Sequence, residues 1–488
     1  MISITIDWTW WVFAGLAVDL IIRIIAIIVV PRNRRPTAAM AWLLAIYFIP
    51  YVGVLLFLLI GNPKLPKKRR VKQDQINAYI REASGRLELG TLRPNAPEWF
   101  RAVVRMNRNL GALPMSGDNA AQLYPGYESS IAAMTEEVRK AQRYVHVEFY
   151  IFKSDRTTDA FMHELEAAVA RGVRVRVLLD HWANASKPLY RETVKRLDAM
   201  GAEWHLMLPV QPLKGKYQRP DLRNHRKLLV VDGSVAFMGS QNMIDSTYNL
   251  RRNIRRGLRW VDLMVRVEGP VVGSINAVFL SDWYSETDEV LIGELDLSAG
   301  GIGPGDLDCQ VVPSGPGFEF ENNLKLFMDL LFHTRRRIII ISPYFIPDES
   351  LLLAIEAACQ RGVDVQLFVS EEGDQAMVYH AQRSYYEELL RAGVRIWMYR
   401  KPYILHAKSV TVDDEYAVIG SSNMDMRSFG LNLEVSMLVR GSEFVDQLRQ
   451  VEDMYRKNSR ELTLEEWNKQ PLRSTILDNL ARLTSALQ

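Results

Sequence analysis

The sequence predicts an α/β fold in which one α/β unit occurs twice, preceded by an N-terminal membrane hairpin. Three observations support this prediction: two long apolar segments begin the chain, β-branched runs alternate with helical stretches from about residue 144, and one polar motif is repeated. Regular alternation of strands and helices is typical of α/β folds. A unit that is duplicated together with its motif predicts two similar domains, with a pseudo-two-fold active site at their interface.

The two apolar segments cover residues 10–30 and 38–60. Each has about the 20 residues needed to cross the hydrocarbon core of a bilayer. A secretory signal begins with basic residues, and the first ten residues of this chain contain none. Asp19 and Arg23 are one helical turn apart and can neutralise each other within the first segment. We therefore predict that residues 1–62 form a hairpin of two transmembrane helices.

Basic residues are distributed unequally around these segments. Three arginines lie between them, and six lysines and arginines follow the second segment within residues 64–72. Basic residues near the ends of spans tend to stay on the cytoplasmic side, so this distribution favours cytoplasmic catalytic domains. A hairpin that does not cross the bilayer completely would give the same pattern. Residues 63–118 are predicted to form a basic juxtamembrane connector.

The α/β alternation after this connector occurs in two halves. HVEFYIF at 146–152 corresponds to IISPYFIP at 340–347, and RGVRVRVLLD at 171–180 corresponds to RGVDVQLFVS at 361–370. The glycine-rich stretch SAGGIGPG between the halves is too irregular for a phosphate-binding loop and is typical of a linker. The predicted order is a first α/β domain at 119–297, a linker at 298–312 and a second α/β domain at 313–488.

The repeated motif has the form HxKxxxxD followed by GSxN, with identical spacing in both copies. The copies supply His225, Lys227, Asp232, Ser240 and Asn242, and then His406, Lys408, Asp413, Ser421 and Asn423. Residues two apart in a strand share a face, so each His and Lys face the same side, as do each Ser and Asn. The Asp lies at the expected turn, and its position five residues after the Lys puts it on the opposite face of the strand. Strand parity therefore predicts that Asp232 and Asp413 are structural turn residues.

The side chains that share a face suit a phosphate diester. The lysines, asparagines and serines can neutralise and hydrogen-bond its non-bridging oxygens. One histidine can attack phosphorus while the other protonates the leaving oxygen, so the pKa values of the two must differ. A carboxylate behind each ring would fix its tautomer. Glu434 and Asp262, each at the start of a strand-like run after its own motif, are the candidates for orienting the histidines.

Composition disfavours several other classes of function. The chain has 60 basic and 57 acidic residues, so it lacks the overall positive charge of a nucleic-acid-binding protein. Its two cysteines, Cys309 and Cys359, and histidines without HExxH spacing predict neither a disulfide framework nor a metal site. It also has no GxxxxGKS or GxxxxGKT phosphate loop. We expect no metal, no cofactor and no nucleic acid partner.

The paired motifs resemble those of the phospholipase D superfamily, and the resemblance covers residues from about 120 to 488. The membrane hairpin, RNHRK at 223–227 and GSSNMDMRSFGLNLE at 420–434 are similar to the bacterial cardiolipin synthase branch. The resemblance implies duplicated phospholipase D-like domains in a metal-independent phosphatidyltransferase, a multi-pass protein of the bacterial inner membrane. The catalytic residues that it implies are His225, Lys227, Asp232, His406, Lys408 and Asp413.

The branch also implies a double-displacement reaction. One phosphatidylglycerol gives a phosphatidyl-histidine and glycerol, and a second phosphatidylglycerol then attacks to give cardiolipin. By similarity to the superfamily, His225 is expected to be the nucleophile and His406 the acid and then the base. Anionic membrane lipids are the implied partners, and the oligomeric state stays open. The arginines between residues 251 and 259 fit either a patch for anionic lipid or a solvated helix face.

Other functions remain open at this point. A phospholipase D hydrolase would use the same residues, with water completing the second step. A transferase that forms phosphatidylserine would accept a different alcohol. A catalytically inactive membrane scaffold is a further alternative, which the two intact motifs disfavour.

Overall fold

The computed structural model describes residues 8–32, 34, 36–61, 64–84, 95–295, 303–318 and 321–483. The chain separates into two compact units. The N-terminal unit comprises Met1–Lys64 and Arg219–Asp221, and the catalytic unit comprises Leu65–Gln218 and Leu222–Gln488. Residues 298–302, which are most of the predicted glycine-rich stretch SAGGIGPG, lie outside the described residues.

The N-terminal unit contains one helix that fits the predicted membrane span. Its helices are α1 (Trp8–Val29), α2 (Pro36–Phe48) and α3 (Pro50–Ile60). Among the described residues, only the segment Trp10–Val29 is both long and apolar enough to cross a bilayer. Arg23 donates to Asp19 at 2.7 Å, so the two charges inside this helix neutralise each other as predicted.

The second apolar segment differs from the single span predicted over residues 38–60. Pro50 has no amide hydrogen, and its ring disfavours a helical conformation of the preceding residue. Ile49 accordingly has φ −136° and ψ 72°, and the helix is interrupted there. The two short helices fold back on each other, with the rings of Trp42 and Phe57 5.5 Å apart. The segment therefore forms a small helical hairpin instead of one continuous transmembrane helix.

The first half of the catalytic unit begins with two helices and continues as an α/β domain. Its elements are α4 (Lys67–Ser84), α5 (Glu98–Asn109), β1 (Ser116–Tyr124), α6 (Tyr127–Lys140), β2 (Tyr144–Phe149), α7 (Asp159–Ala170), β3 (Arg174–Asp180), α8 (His181–Ala185), α9 (Tyr190–Met200), β4 (Glu203–Met207), β5 (Val210–Gln211), β6 (Lys216–Tyr217), β7 (Arg223–Asn224), β8 (Lys227–Val231), β9 (Val235–Gly239), α10 (Arg251–Arg256), β10 (Arg259–Val261), β11 (Met264–Glu268) and α11 (Val271–Thr287).

The second half repeats this pattern and adds a C-terminal helix. Its elements are β12 (Leu307–Ser314), α12 (Asn322–His333), β13 (Arg337–Ile341), β14 (Phe345–Ile346), α13 (Glu349–Gln360), β15 (Asp364–Ser370), α14 (Ala376–Arg383), α15 (Tyr386–Ala392), β16 (Arg395–Tyr399), β17 (Tyr403–Leu405), β18 (Ser409–Val412), β19 (Tyr416–Gly420), β20 (Met424–Asp425), α16 (Met426–Gly430), β21 (Asn432–Arg440), α17 (Ser442–Lys457), β22 (Ser459–Leu462), α18 (Leu464–Trp467) and α19 (Leu472–Arg482). Strand β12 begins inside the linker predicted at 298–312.

The long strands of both halves form one continuous sheet, with β1 and β12 paired antiparallel at its centre. From this pair the order runs β11-β9-β8-β2-β3-β4 in one direction and β21-β19-β18-β13-β15-β16-β22 in the other. Each direction contains the motif hairpin, β8–β9 or β18–β19, next to parallel strands. The mirrored order is the duplication that the sequence predicts.

Helices cover both faces of this sheet. In β8, Leu229 and Val231 pack in the same core cluster as α6 and α7, whereas Leu228 and Val230 pack with α11 on the other face. Strands that are buried on both faces read as continuous apolar runs, which is the pattern in KLLVV. The motif residues at the ends of these strands are therefore held by a rigid, two-sided core.

In the described part of the predicted connector at 63–118, α4 and α5 pack against the cores of the catalytic unit. Ile76 and Ile80 of α4 lie in the core cluster that includes α11, and Phe100 of α5 lies in the core of the second half. Two basic residues of α4 are paired at the end of α11: Arg69 lies 2.5 Å from Glu286 and Lys72 lies 2.5 Å from Asp288.

Candidate active site

The two motif histidines lie where one half of the catalytic unit meets the other. His225 follows β7, which pairs in parallel with the start of β21, and its amide donates to the carbonyl of Leu433 at 2.8 Å. His406 follows β17, which pairs in parallel with β10, and its amide donates to the carbonyl of Val261 at 2.7 Å. Each histidine is thus held by a strand of the opposite half. This arrangement is the pseudo-two-fold site expected from the duplication.

Each histidine ring is oriented by a carboxylate of the opposite half. Nδ1 of His225 lies 3.0 Å from both carboxylate oxygens of Glu434, and Nδ1 of His406 lies 2.7 Å from Asp262. Because an ionised carboxylate only accepts hydrogen bonds, each Nδ1 carries the proton. Nε2 of each neutral ring then holds the lone pair that can attack phosphorus or take a proton. Glu434 and Asp262 were both candidates from sequence, but their crossed assignment was not predicted.

The motif serines bind these carboxylates, which corrects the prediction that they bind phosphate. Ser421 donates to Glu434 at 2.5 Å, and Ser240 donates to Asp262 at 2.6 Å. Each hydroxyl also accepts the backbone N–H of the residue that follows the carboxylate, at 3.0 and 2.9 Å. Both serines are fully buried. They hold the carboxylates in place behind the histidines.

The two asparagines differ from each other, although the motif treats them alike. In Asn242, the oxygen accepts the N–H of Ile151 at 3.1 Å and the amide nitrogen donates to the Tyr248 hydroxyl at 2.8 Å. Phosphate binding by Asn242 stays a prediction, because both ends of its amide have protein partners but the amide nitrogen has a second N–H. The side-chain oxygen of Asn423 is buried and has no hydrogen-bond partner among the described residues. Asn423 remains a candidate for substrate binding.

The motif lysines are buried cations beside the histidines. Lys227 donates to the carbonyl of His225 at 2.5 Å, and Lys408 donates to the carbonyl of His406 at 2.7 Å. Burial lowers the pKa of Lys227 to about 7 and that of Lys408 to about 8. A lysine ammonium has three donors, so each can also bind a phosphate oxygen. They border the same site, because each lysine acts electrostatically on the histidine of the other half.

The electrostatics of the two histidines are nearly symmetrical. Burial lowers the pKa of His225 to about 4, against the opposing charge of Glu434. Burial and then Lys408 lower the pKa of His406 to about 4, against Asp262. The charges of the protein alone therefore do not make one ring neutral and the other protonated, as the sequence led us to expect. A phosphate monoanion between the lysines would raise both values, because an added negative charge favours imidazolium.

Asp232 and Asp413 do not belong to the site, which corrects their inclusion among the catalytic residues. Asp232 accepts the backbone N–H groups of residues 142, 143 and 144 at 2.7–2.9 Å. Asp413 accepts those of residues 335, 336 and 337 at 2.8–3.1 Å. Both residues lie at the hairpin turn with positive φ, 54° and 49°. This turn position is the one that strand periodicity predicted. Their carboxylates anchor the starts of β2 and β13.

Two tyrosines lie next to the histidines, and the sequence did not predict this contact. The ring of Tyr150 lies edge-on to His225 with centroids 4.9 Å apart, and its face lies 5.3 Å from the ammonium of Lys227. The ring of Tyr344 has the same edge-on relation to His406 at 6.5 Å. The signal was present in the repeat, since the two tyrosines occupy equivalent positions in HVEFYIF and IISPYFIP.

The arginines after the first motif serve partly as a connection between the halves. Arg252 donates to the main-chain oxygen of Asp374 at 2.9 Å, and Arg256 forms an ion pair with Glu372. Arg251 and Arg255 of the same helix are exposed. The cluster therefore combines a structural contact with a smaller solvent-facing basic surface.

Comparisons with known proteins agree with this geometry. A family profile described as "Cardiolipin synthase, PLD-like domain" matches residues 134–283 and 327–454. A second profile, "Phospholipase_D-nuclease N-terminal", matches residues 21–62. The two matches to the first profile fall within the two predicted α/β domains, one for each motif.

Several curated proteins are similar over nearly their whole length. Cardiolipin synthase of Geobacillus kaustophilus is 33% identical over 470 residues, which are 95% of this chain and 91% of that protein. Cardiolipin synthase A of Proteus mirabilis is 31% identical over 468 residues, 93% of this chain and 94% of that protein. Among solved structures, phosphatidylserine synthase of Haemophilus influenzae aligns with a TM-score of 0.58 at 16% identity, covering 79% of this chain and 99% of that one. The last likeness concerns the fold.

Proposed function

Because the chain belongs to the cardiolipin synthase family of phospholipase D-like proteins, we propose that it is a phosphatidyltransferase that joins two phosphatidylglycerol molecules into cardiolipin and glycerol. The observation that carries the proposal is the pair of histidines, each held by a carboxylate of the other half and flanked by a buried lysine. Two bases and two cations around one position are what a double displacement at phosphorus requires.

The first step breaks the phosphorus–glycerol bond of one phosphatidylglycerol. Nε2 of His225 attacks phosphorus, and the ammonium groups of Lys227 and Lys408 stabilise the charge on the non-bridging oxygens. The phosphate anion favours the protonated form of His406, which donates its Nε2 proton to the leaving glycerol oxygen. The products are a phosphatidyl group on His225 and free glycerol.

The second step transfers the phosphatidyl group to a new alcohol. His406, now neutral, takes the proton from a glycerol hydroxyl of the second phosphatidylglycerol. The resulting oxygen attacks phosphorus, and the bond between phosphorus and His225 breaks. One phosphodiester has been exchanged for another, so the reaction needs no nucleoside triphosphate. Glu434 and Asp262 hold the same ring tautomers through both steps.

We place the reaction at the bacterial inner membrane, with the catalytic domains of residues 119–297 and 313–488 on the cytoplasmic side. The support for membrane attachment is the apolar helix at Trp10–Val29 and the family match over residues 21–62. A second crossing of the membrane, by the short helices of residues 36–60, is a further part of the proposal. Labelling of single cysteines from each side of the membrane would test it.

The reaction is tested with purified protein and radiolabelled phosphatidylglycerol in mixed micelles. We expect cardiolipin and glycerol in equal amounts, and an acid-quenched reaction should carry labelled phosphatidyl on a peptide that contains His225. His225→Ala should abolish this adduct. Phosphatidic acid without cardiolipin would instead identify a hydrolase, and adduct formation on His406 would reverse the order of the two histidines.

A further inference from the structure

The two sides of the active site differ in their hydrogen-bonding character. On the side of His406, the Tyr344 hydroxyl donates to the carboxylate of Asp374, with oxygen distances of 3.0 and 3.1 Å. Gln375 donates to the same hydroxyl at 3.3 Å. These residues line a small surface pocket together with Pro343, Ser370 and Ile404.

The carboxylate near Tyr150 in the first half is already paired with a cation. Asp180, at the end of β3, accepts from Arg223 at 3.1 Å. It also accepts backbone N–H groups of Ala183 and Asn224 at 2.9 Å each. On this side, the residues beside the histidine offer cations and an aromatic face to an anion.

Asp374 is different, because it forms no ion pair within the described part of the chain. The bond from Arg252 reaches its main-chain oxygen and holds the loop, leaving the carboxylate charge in place. Asp374 is half-buried, and its charge acts on Lys408 and Tyr248. A carboxylate has about four acceptor positions, and the Tyr344 hydroxyl uses only part of them.

This difference determines which part of a lipid each side can bind. A carboxylate repels a phosphate but accepts hydrogen bonds from alcohol hydroxyls, and a tyrosine hydroxyl can donate or accept. The alcohol that enters in the second step must lie beside the base that removes its proton. The acceptor-rich side is the one that contains His406.

We propose that Asp374 and Tyr344 form the binding site for the polyol part of the reacting alcohol, the terminal glycerol of phosphatidylglycerol. The inference rests on the proposed function, in which a glycerol oxygen leaves and another enters beside His406. The hydroxyl that does not react donates to Asp374, and this bond directs the reacting hydroxyl towards His406. Alcohols with a single hydroxyl lose this contact, so the site selects polyols.

The test separates the two chemical steps. A phosphatidyl donor with a p-nitrophenol leaving group releases colour when the phosphatidyl-histidine forms, without needing a polyol. Glycerol and ethanol then compete as acceptors, and the ratio of phosphatidylglycerol to phosphatidylethanol measures selectivity in the second step. A site built to bind a hydroxyl discriminates strongly against an analogue that lacks it. We expect Asp374→Asn to lower the ratio at least about tenfold, with the colour burst within about twofold of wild type.

Two further variants complete the design. Tyr344→Phe keeps the ring and removes the hydroxyl, and it should lower the same ratio by a smaller factor. Asp414→Asn is the matched control, because this exposed carboxylate pairs with Arg336 at the hairpin turn; its ratio should equal that of wild type.

An unchanged ratio in both Asp374→Asn and Tyr344→Phe would overturn the polyol site while leaving the proposed function intact. A burst that falls together with the ratio would also overturn it, because Asp374 would then support the site as a whole. A wild-type protein that forms neither the adduct nor cardiolipin would reject the proposed function itself.

Discussion

Replacing Glu434 with glutamine should remove most of the activity while keeping the fold. The substitution conserves the volume of a fully buried side chain and removes its charge. Glu434 accepts from His225, from Ser421 and from the Ser428 hydroxyl at 3.0 Å. A glutamine presents one amide oxygen and one amide NH₂ to these three donors. The serine hydroxyls can rotate and accept a hydrogen bond from the NH₂ group. The Nδ1–H of His225 cannot bond to another donor, so it can face the NH₂ group only if its proton moves to Nε2.

The magnitude follows from the tautomer of His225. If the amide NH₂ donates to Nδ1, the proton moves to Nε2 and the nucleophilic lone pair is lost. In a Ser-His-Asp triad, exchanging the orienting Asp for Asn costs about 10⁴-fold in kcat through the same change of tautomer. We expect a loss of about 10³–10⁴-fold here, which is about 4–5.5 kcal/mol of transition-state stabilisation.

The assay measures both turnover and the first step. Cardiolipin formation gives kcat, and the p-nitrophenol burst gives the rate of attack by His225. Glu434→Gln should lose both, whereas Asp262→Asn, which acts on His406, should keep the burst and lose turnover with phosphatidylglycerol. Glu452→Gln is the matched control, since Glu452 is 1% exposed and binds Thr411 at 2.5 Å, away from either histidine.

A folded Glu434→Gln protein whose burst rate stays within tenfold of wild type would contradict an orienting role for Glu434. Urea unfolding of the variant and of Glu452→Gln distinguishes loss of orientation from general destabilisation. If both variants lose activity in proportion to their stability, Glu434 has only a structural role.

The rate of the first step should depend on the charge of the two lysines, and the turn carboxylates should affect stability. Because burial lowers the pKa of Lys227 to about 7 and of Lys408 to about 8, the ammonium charges disappear as pH rises through these values. The second-order rate constant of the p-nitrophenol burst should be constant between about pH 4, where His225 becomes protonated, and pH 7, and should fall above it; an alkaline limb near pH 10 would contradict this. Asp232→Asn and Asp413→Asn should each lower the free energy of unfolding by about 1–3 kcal/mol, because backbone donors lose a charged acceptor. Their kcat, measured on samples shown by urea unfolding to be folded, should stay near wild type. A hundredfold loss of kcat at unchanged stability would show that they take part in the reaction.

Much of the site could be predicted from short-range spacing. The His–Lys spacing, the turn position of Asp232 and Asp413 and the duplication all depend on strand periodicity, which is a local property of the chain. The carboxylates Glu434 and Asp262 could be named because each opens a strand-like run of sequence after its motif. The interruption at Pro50 was also a local signal, and the apolarity of the surrounding residues obscured it.

The partners of these residues could not be read from the same spacing. His225 and Glu434 are 209 residues apart, and His406 and Asp262 are 144 apart. Their pairing depends on β7 lying beside β21 and β10 beside β17, contacts between the halves that no local pattern specifies. For the same reason, the burial of the serines against the carboxylates became visible only in the fold.

The sequence alone therefore determined which chemistry is present: two histidines, two lysines, two orienting carboxylates and a duplicated α/β fold similar to the phospholipase D superfamily. The tertiary structure decided which groups meet. It pairs each histidine with the carboxylate of the other half, buries Ser240 and Ser421 against those carboxylates, and leaves Asp374 as an acceptor without an ion pair among the described residues. The physical reason is that periodicity assigns a side chain to a face of its strand, while pairing between distant strands determines what that face contacts.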